Sequence, residues 1–253
     1  MAIETFKRYE KKYLLTNDQF DNFRKEISAY MSYDAYCKNG NMYPIYNIYF
    51  DNDNNSVVQH SVSKPYFKDK LRIRSYKERP EENDFIFLEL KKKIGGIVTK
   101  RRTELRLCDC RKYIKTGEYP PEAETDYRMN QVLHEIDYFN DIYHVKPTTY
   151  LSYQRLAYFA NDNKEFRLTF DKKLVSRRHD LQLELGSYGE ELLSDDVTLM
   201  EIKIIGAMPM WCSRLLSDLE IFPKGFSKYG HDYKKFVSEN KNNNKNNYTM
   251  EVV

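Results

Sequence analysis

Glycine is scarce, at 9 in 253 residues. No stretch matches G-x-x-x-x-G-K-[ST] or G-x-G-x-x-G, so a P-loop and a dinucleotide-binding fold are excluded on motif grounds. If this chain binds phosphate, side chains must do most of the work. Cysteine is also sparse. Cys37, Cys108, Cys110 and Cys212 form no zinc pattern, and Cys108 and Cys110 stand two apart rather than as C-x-x-C. Long apolar runs are missing. Ile204 to Trp211 is the longest uncharged apolar stretch, it contains Pro209, and it is far too short to span a bilayer. The opening MAIETFKRYEKKYLL has no signal-peptide core. A cytoplasmic protein is expected, and a membrane-protein partner would be invisible in the sequence. Finally, no large charge excess exists. Lys plus Arg is 41 against 38 Asp plus Glu, a net of +3, which disfavours a histone-like nucleic-acid binder.

The chain is 41% hydrophobic, enough to bury a core. We find neither repeat nor linker, so residues 1–237 read as one domain. The Asn- and Lys-rich tail, 238–253, is expected to be disordered. Period-2 patterning predicts strands at Phe6–Leu15, Ile45–Asp51, Lys70–Tyr76, Phe85–Lys93, Val98–Leu107, Thr149–Phe159, Glu165–Leu174, Leu181–Leu185 and Val197–Ile204. Gly95-Gly96 is a two-residue hairpin signal, and Asn161–Asn163 marks another turn. Helices are predicted from a Thr16 cap to about Tyr30, over Asp53–His60, Thr125–Ile142 and Met210–Leu219, and from Ser227 to about Glu239.

The charges are unevenly placed. Residues 68–106 carry 13 Lys/Arg against 7 Asp/Glu. Alternation along strands puts Lys70, Arg72 and Arg74 on one face, and Phe87, Glu89 and Lys91 on another. It likewise groups Glu10 with Lys12, Lys100 with Arg102, Tyr153 with Arg155, Arg167 with Asp171, and Glu201 with Lys203. An ordinary half-solvated sheet would explain any single strand. Across seven strands, so many neighbouring like charges are unfavourable unless something anionic neutralises them. The expected fold is therefore α+β. About eight antiparallel strands form a barrel tunnel with a charged bore, and helices pack outside. Arg offers forks for phosphate oxygens and Lys offers point charges. Glu10, Glu89 and Glu201 have two readings: ion pairs with neighbouring Arg, or carboxylates for Mg²⁺ or Mn²⁺ shared with phosphate oxygens.

The ordered segments R-Y-E-K-K-Y-L-L (8–15), I-Y-F-D (48–51), K-L-R-I-R-S-Y (70–76), F-L-E-L-K (87–91), T-K-R-R (99–102), Y-L-S-Y-Q-R-L-A-Y (150–158), F-R-L-T-F-D (166–171), M-E-I-K (200–203) and F-S-K-Y (226–229) carry a resemblance. The chain resembles the polyphosphate-polymerase domain, the VTC-type branch of the triphosphate tunnel metalloenzymes, over residues 4–237. The resemblance implies that Lys12, Arg72, Arg74, Lys91, Arg155 and Arg167 contact phosphates, with Tyr153 beside them. It implies Glu201 as the Mn²⁺ or Mg²⁺ ligand, with Lys203 on the same face. The resemblance also implies a C-terminal helix near one tunnel end, from which Ser227 and Lys228 would meet the phosphate chain. Glu10, Lys70, Glu89 and Lys100 are placed with the substrate-binding set.

Hydrolytic tunnel enzymes carry E-x-E-x-K on the first strand, where this chain has Arg8, Glu10 and Lys12. One carboxylate fewer lowers the capacity for a second metal or a water-activating base. The resemblance thus implies transfer of the terminal phosphate of ATP to a growing polyphosphate chain. Two alternatives stand beside it: a metal-dependent triphosphatase, and a non-catalytic polyphosphate-binding module. Nucleic-acid binding is not favoured, because most tyrosines fall opposite apolar residues or at strand ends. The five histidines, His60, His134, His144, His179 and His231, form no triad arrangement.

Overall fold

Each alternating run can bury one face while its charges gather on the other, and that pattern decides the sheet. The computed structural model describes the backbone of residues 8–250 and the side chains of residues 9–241, so Phe6 and Lys7 of the expected first strand lie outside it. In chain order the elements are β1 (Arg8–Thr16), α1 (Asn17–Ile27), β2 (Met31–Tyr33), β3 (Tyr43–Asp51), α2 (Ser56–Val62), β4 (Phe67–Ser75), β5 (Phe85–Ile94) and β6 (Ile97–Arg106). There follow α3 (Leu107–Thr116), α4 (Tyr127–Tyr143), β7 (Lys146–Ala160), β8 (Arg167–Arg177), β9 (Glu190–Glu191), β10 (Val197–Ile205), α5 (Met210–Asp218) and α6 (Lys228–Met250).

Eight strands run in the order β1-β10-β8-β7-β3-β4-β5-β6, every pair antiparallel, and β2 and β9 add short pieces to β7 and β8. Gly95 and Gly96, at φ +54° and +91°, close the β5–β6 hairpin in a left-handed conformation that suits glycine. The sheet curls until its edges β1 and β6 approach within 8 Å, Cα to Cα, but no ladder joins them among the described residues. The expected tunnel is therefore a curled sheet with a seam rather than a barrel closed by hydrogen bonds. Lys91 on β5 reaches across this seam to Glu10 on β1 at 3.6 Å.

Helices cover the outer face. Thr16 and Gln19 form a capping box that starts α1, which buries Phe20, Phe23 and Ile27. With Cys212 and Leu216 of α5 these side chains pack on Tyr13, Leu168, Phe170 and Ile202. On the other side, α3 and α4 place Cys110, Tyr113, Leu133 and Ile136 against Ile86, Leu88, Leu90 and Leu105. The last two helices described are different. At one end of the bore, Val58 of α2 and Tyr229 of α6 close over Ile45, Tyr49, Leu151, Leu174 and Leu199.

Two expectations need correction. Leu181–Leu185 is not a strand; Leu183–Leu185 is a single 3-10 turn. Its alternating leucines mimic a strand, but the Arg177 guanidinium organises the loop by donating to the carbonyls of Asp180, Gln182, Gly186 and Tyr188. The short helix expected over Asp53–His60 starts later, at Ser56. There Asp51, fully buried, accepts the free N–H groups of Val57 and Val58 at 2.9 Å. Leu107, expected as the end of a strand, instead opens α3, and nothing was predicted over residues 108–116, which complete it.

Candidate functional site

The inward faces enclose a hollow of about 430 Å³. Its walls are Glu10 and Lys12 of β1, Tyr49 of β3, Lys70, Arg72 and Arg74 of β4, Lys91 of β5, and Val98 and Lys100 of β6. Tyr153 and Arg155 of β7, Arg167 of β8 and Glu201 and Lys203 of β10 complete the sheet's share, and Ser227, Lys228 and Tyr229 enter from the start of α6. Ten Lys or Arg side chains therefore face two carboxylates across one cavity. Of the residues expected at the site, Glu89 alone does not line it. It is fully buried behind Arg72, where its Oε2 accepts from Arg72 Nε at 2.8 Å and Nη2 at 2.7 Å. Lys100 reaches its other oxygen at 3.3 Å.

Such crowding of cations is tolerable only because acids sit among and beneath them. Asp171, fully buried, grips Arg155 in a fork, Oδ1 to Nε and Oδ2 to Nη2, both 2.7 Å. Lys228 also pairs with Asp171, and donates to Glu201 Oε1 at 3.0 Å. Lys12 stands between two carboxylates, 3.3 Å from Glu10 and 3.2 Å from Glu201. Arg72 Nη1 donates to the Tyr49 hydroxyl at 2.9 Å, and Arg74 Nε to Asn47 at 3.1 Å. The guanidinium planes of Arg72, Arg74 and Arg155 are thus fixed before any ligand arrives.

The ionisation of the site follows from this balance. Burial opposes the charge on Glu201, but Lys12, Lys228 and Arg155 override it and hold its pKa well below the usual carboxylate range. Burial likewise works against Glu10, and Lys91 and Lys12 pull it to about 2. Lys70 lacks such support. Burial, with Lys91, Lys12 and Lys68 nearby, pushes it down to about 7. Burial also lowers Lys203, to about 8, although Glu201 partly offsets it. Lys228 goes the other way: burial disfavours its charge, yet Asp171 and Glu201 raise it above the ordinary lysine value.

A divalent cation can be tested against these donors. Among the described residues no group of three or more His, Cys, Asp or Glu side chains could hold a metal ion. What is present is a pair of carboxylates, Glu10 and Glu201, sharing one ammonium. Mg²⁺ and Mn²⁺ accept one or two carboxylates when substrate phosphates supply further oxygens, so the donor set fits an ion that arrives with phosphate.

Tyr49, Val98 and Tyr229 line the hollow but were not expected there, and neither was the Asp171 counter-ion beneath it. Tyr49 shares the inward face of β3 with Asn47 and Asp51, and Tyr229 ends the F-S-K-Y segment, so period and motif both held the signal. Tyr229 stacks on Tyr49 at 4.6 Å and donates its hydroxyl to Asp51 at 2.7 Å, which ties α6 to the sheet.

A curled antiparallel sheet around a cation-lined hollow, with helices outside, defines a triphosphate tunnel domain. The VTC domain matches residues 7–237, and the chain belongs to that family. No curated protein matches it. Among solved structures it is similar to bh2851 of Bacillus halodurans, a candidate adenylate cyclase, at 16% identity and a TM-score of 0.49. That likeness covers 87% of this chain and 95% of the other. It is also similar to PH1819 of Pyrococcus horikoshii, at 12% identity and a TM-score of 0.46, covering 90% of this chain and 99% of that one. The family assignment rests on the VTC match alone. No helix among the described residues is long and apolar enough to cross a membrane.

Proposed function

We propose that the hollow is the site of an ATP-dependent polyphosphate polymerase. A terminal oxygen of the growing chain attacks the γ-phosphorus of ATP. A new P–O–P link forms, the bond from the γ-phosphorus to the β–γ bridging oxygen breaks, and ADP leaves with that electron pair. The attacking oxygen is already ionised at neutral pH, so no dedicated base is needed. The observation that carries this reading is the convergence of ten Lys and Arg side chains on one cavity, with Arg72 and Arg155 already oriented by the buried acids Glu89 and Asp171.

In a loose phosphoryl-transfer transition state the protein contributes mainly position and charge. Arg72, Arg74, Arg155 and Arg167 clamp non-bridging oxygens. Lys12, Lys91 and Lys228 neutralise charge along the chain, and Lys70, Lys100, Lys203 and Ser227 extend that lining. Glu201, with Glu10 beside it, would hold Mn²⁺ or Mg²⁺, and the bound ion would supply charge neutralisation on phosphate oxygens. Lys12 is the side chain such an ion would displace from between the two carboxylates.

Incubating the full chain with ATP and Mn²⁺ tests the reading. Long-chain polymer and ADP are expected, and both should collapse in Glu201→Ala. Orthophosphate without polymer would make the protein a triphosphatase. Tight binding without turnover, indifferent to Glu201→Ala, would make it a binding module.

A further inference from the structure

Beyond Arg74 and Arg155 the character of the inner surface changes from cationic to aromatic. Tyr76 lies two residues after Arg74, in the bend just past the end of β4. Phe87 pairs in register with Arg74, and Tyr43 with Arg155. The rings meet: Tyr43 and Tyr76 centroids are 6.3 Å apart, and Tyr76 meets Phe87 edge-on at 5.9 Å. Tyr36 completes the group from the loop after β2, nearly parallel to Tyr76 at 9° and 6.0 Å. Arg102 lies over Phe87 at 4.4 Å, which brings a cation to the aromatic surface.

This cluster does not behave like core. Tyr36 is 66% exposed and Tyr76 36%. Yet the backbone of Tyr36 is held in place. Its N–H donates to Asp34 Oδ1 at 3.1 Å, and the Asp34 N–H donates to the Ala157 carbonyl of β7 at 2.8 Å. An exposed pair of near-parallel rings, outside the lining of the hollow but beside residues in register with its Arg74 and Arg155, suits a ligand that is anionic at one end and flat at the other.

We propose that Tyr36, Tyr76 and Phe87, with Arg102 beside them, form a stacking platform for the nucleobase of a nucleoside triphosphate whose phosphates lie in the hollow. The inference rests on the triphosphate reading of the hollow and adds the recognition of the base. Stacking uses the π-face that every base has, so it discriminates nucleotide from inorganic triphosphate more than one base from another. Arg102 adds a cation–π contact and can reach toward the sugar-phosphate end.

The test compares two ligands on the Mn²⁺-loaded full chain by calorimetry: the non-hydrolysable β,γ-imido analogue of ATP, and inorganic tripolyphosphate. Tyr36→Ala and Tyr76→Ala should each weaken the ATP analogue roughly 5- to 150-fold, the range alanine substitution gives for one stacked base. Tripolyphosphate affinity should stay within about twofold, which also shows that the variants fold. Tyr36→Phe and Tyr76→Phe keep the rings and should retain the ATP analogue. Equal losses for both ligands, or no loss for either, would overturn the platform while leaving the hollow as a triphosphate site. If the unmodified protein binds neither ligand, the triphosphate reading itself fails and the platform with it.

Discussion

Removing the Glu201 carboxylate is the sharpest probe of how the hollow balances its charge. Glu201 is buried and touches Lys228 at 3.0 Å, Lys12 at 3.2 Å and Arg155 at 3.9 Å. Glu201→Gln keeps the shape and deletes the charge, so three cations lose a shared counter-ion. Breaking a buried pair typically costs about 3–5 kcal/mol. Here Asp171 still neutralises Arg155 and Lys228, and Lys12 still has Glu10, so the low end, about 3 kcal/mol, is expected. For a chain of this size that is a fall in Tm of about 6–12 °C. The decisive part is the rescue. With chelator present, tripolyphosphate restores the missing negative charge, so it should raise the Tm of the variant more than that of the parent. Differential scanning fluorimetry with and without ligand reads both effects. A variant as stable as the parent without ligand, or one that gains no more from tripolyphosphate, would refute the reasoning.

Arg72→Ala should lower transition-state stabilisation by about 2–4 kcal/mol, roughly 30- to 1000-fold in turnover, as for a lost oxyanion donor. Arg72→Lys should recover little, because a point charge cannot reproduce the fork held by Glu89 and Tyr49. The depressed Lys70 makes two pH statements, the first without ligand. Its pKa of about 7 when folded lies below the unfolded 10.5, so across that window the unfolded chain binds the proton and the folded chain does not. Its contribution to stability therefore grows as pH rises from about 7 to 10.5, and denaturation of Lys70→Met should lack that component. Second, triphosphate binding at pH 8 should take up a proton at Lys70, seen as a buffer-dependent enthalpy that shrinks in Lys70→Met. Asp51→Ala should cost about 2–4 kcal/mol by denaturant unfolding, because it strands two α2 N–H groups and the Tyr229 hydroxyl. It should also weaken tripolyphosphate by loosening the start of α6, and unchanged affinity would show that Lys228 is positioned without it.

Which side chains face inward was legible because a strand allows only two faces. Lys70, Arg72 and Arg74 cannot be separated once Leu71 and Ile73 are buried. The Gly95-Gly96 turn and the Thr16 cap were legible for the same local reason. What alternation cannot say is whether two distant edges meet, and the seam between β1 and β6 was accordingly expected as a closed barrel. Nor could it reveal α3. That helix follows β6 with no intervening turn residue and no side-chain cap, so its start at Leu107 carries no local mark. The loop around Leu183 depends on Arg177 reaching four carbonyls, a long-range fact that pattern cannot contain. The acids were legible as positions but not as roles. Glu89 reads like Glu201 along the chain, and only its depth behind Arg72 separates a counter-ion from a lining residue.

A hydrogen-bonded ladder would lock β1 and β6 about 4.8 Å apart and make the girth of the bore a property of the backbone. Here the side chains of Lys91 on β5 and Glu10 on β1 meet inside the bore instead, while the Lys12 carbonyl of β1 accepts from the Lys224 N–H at 2.8 Å. On the proposed function, an anionic chain entering the hollow would compete with Glu10 for Lys91. Such a chain would thereby undo the one ion pair that ties β5 to β1 among the described residues.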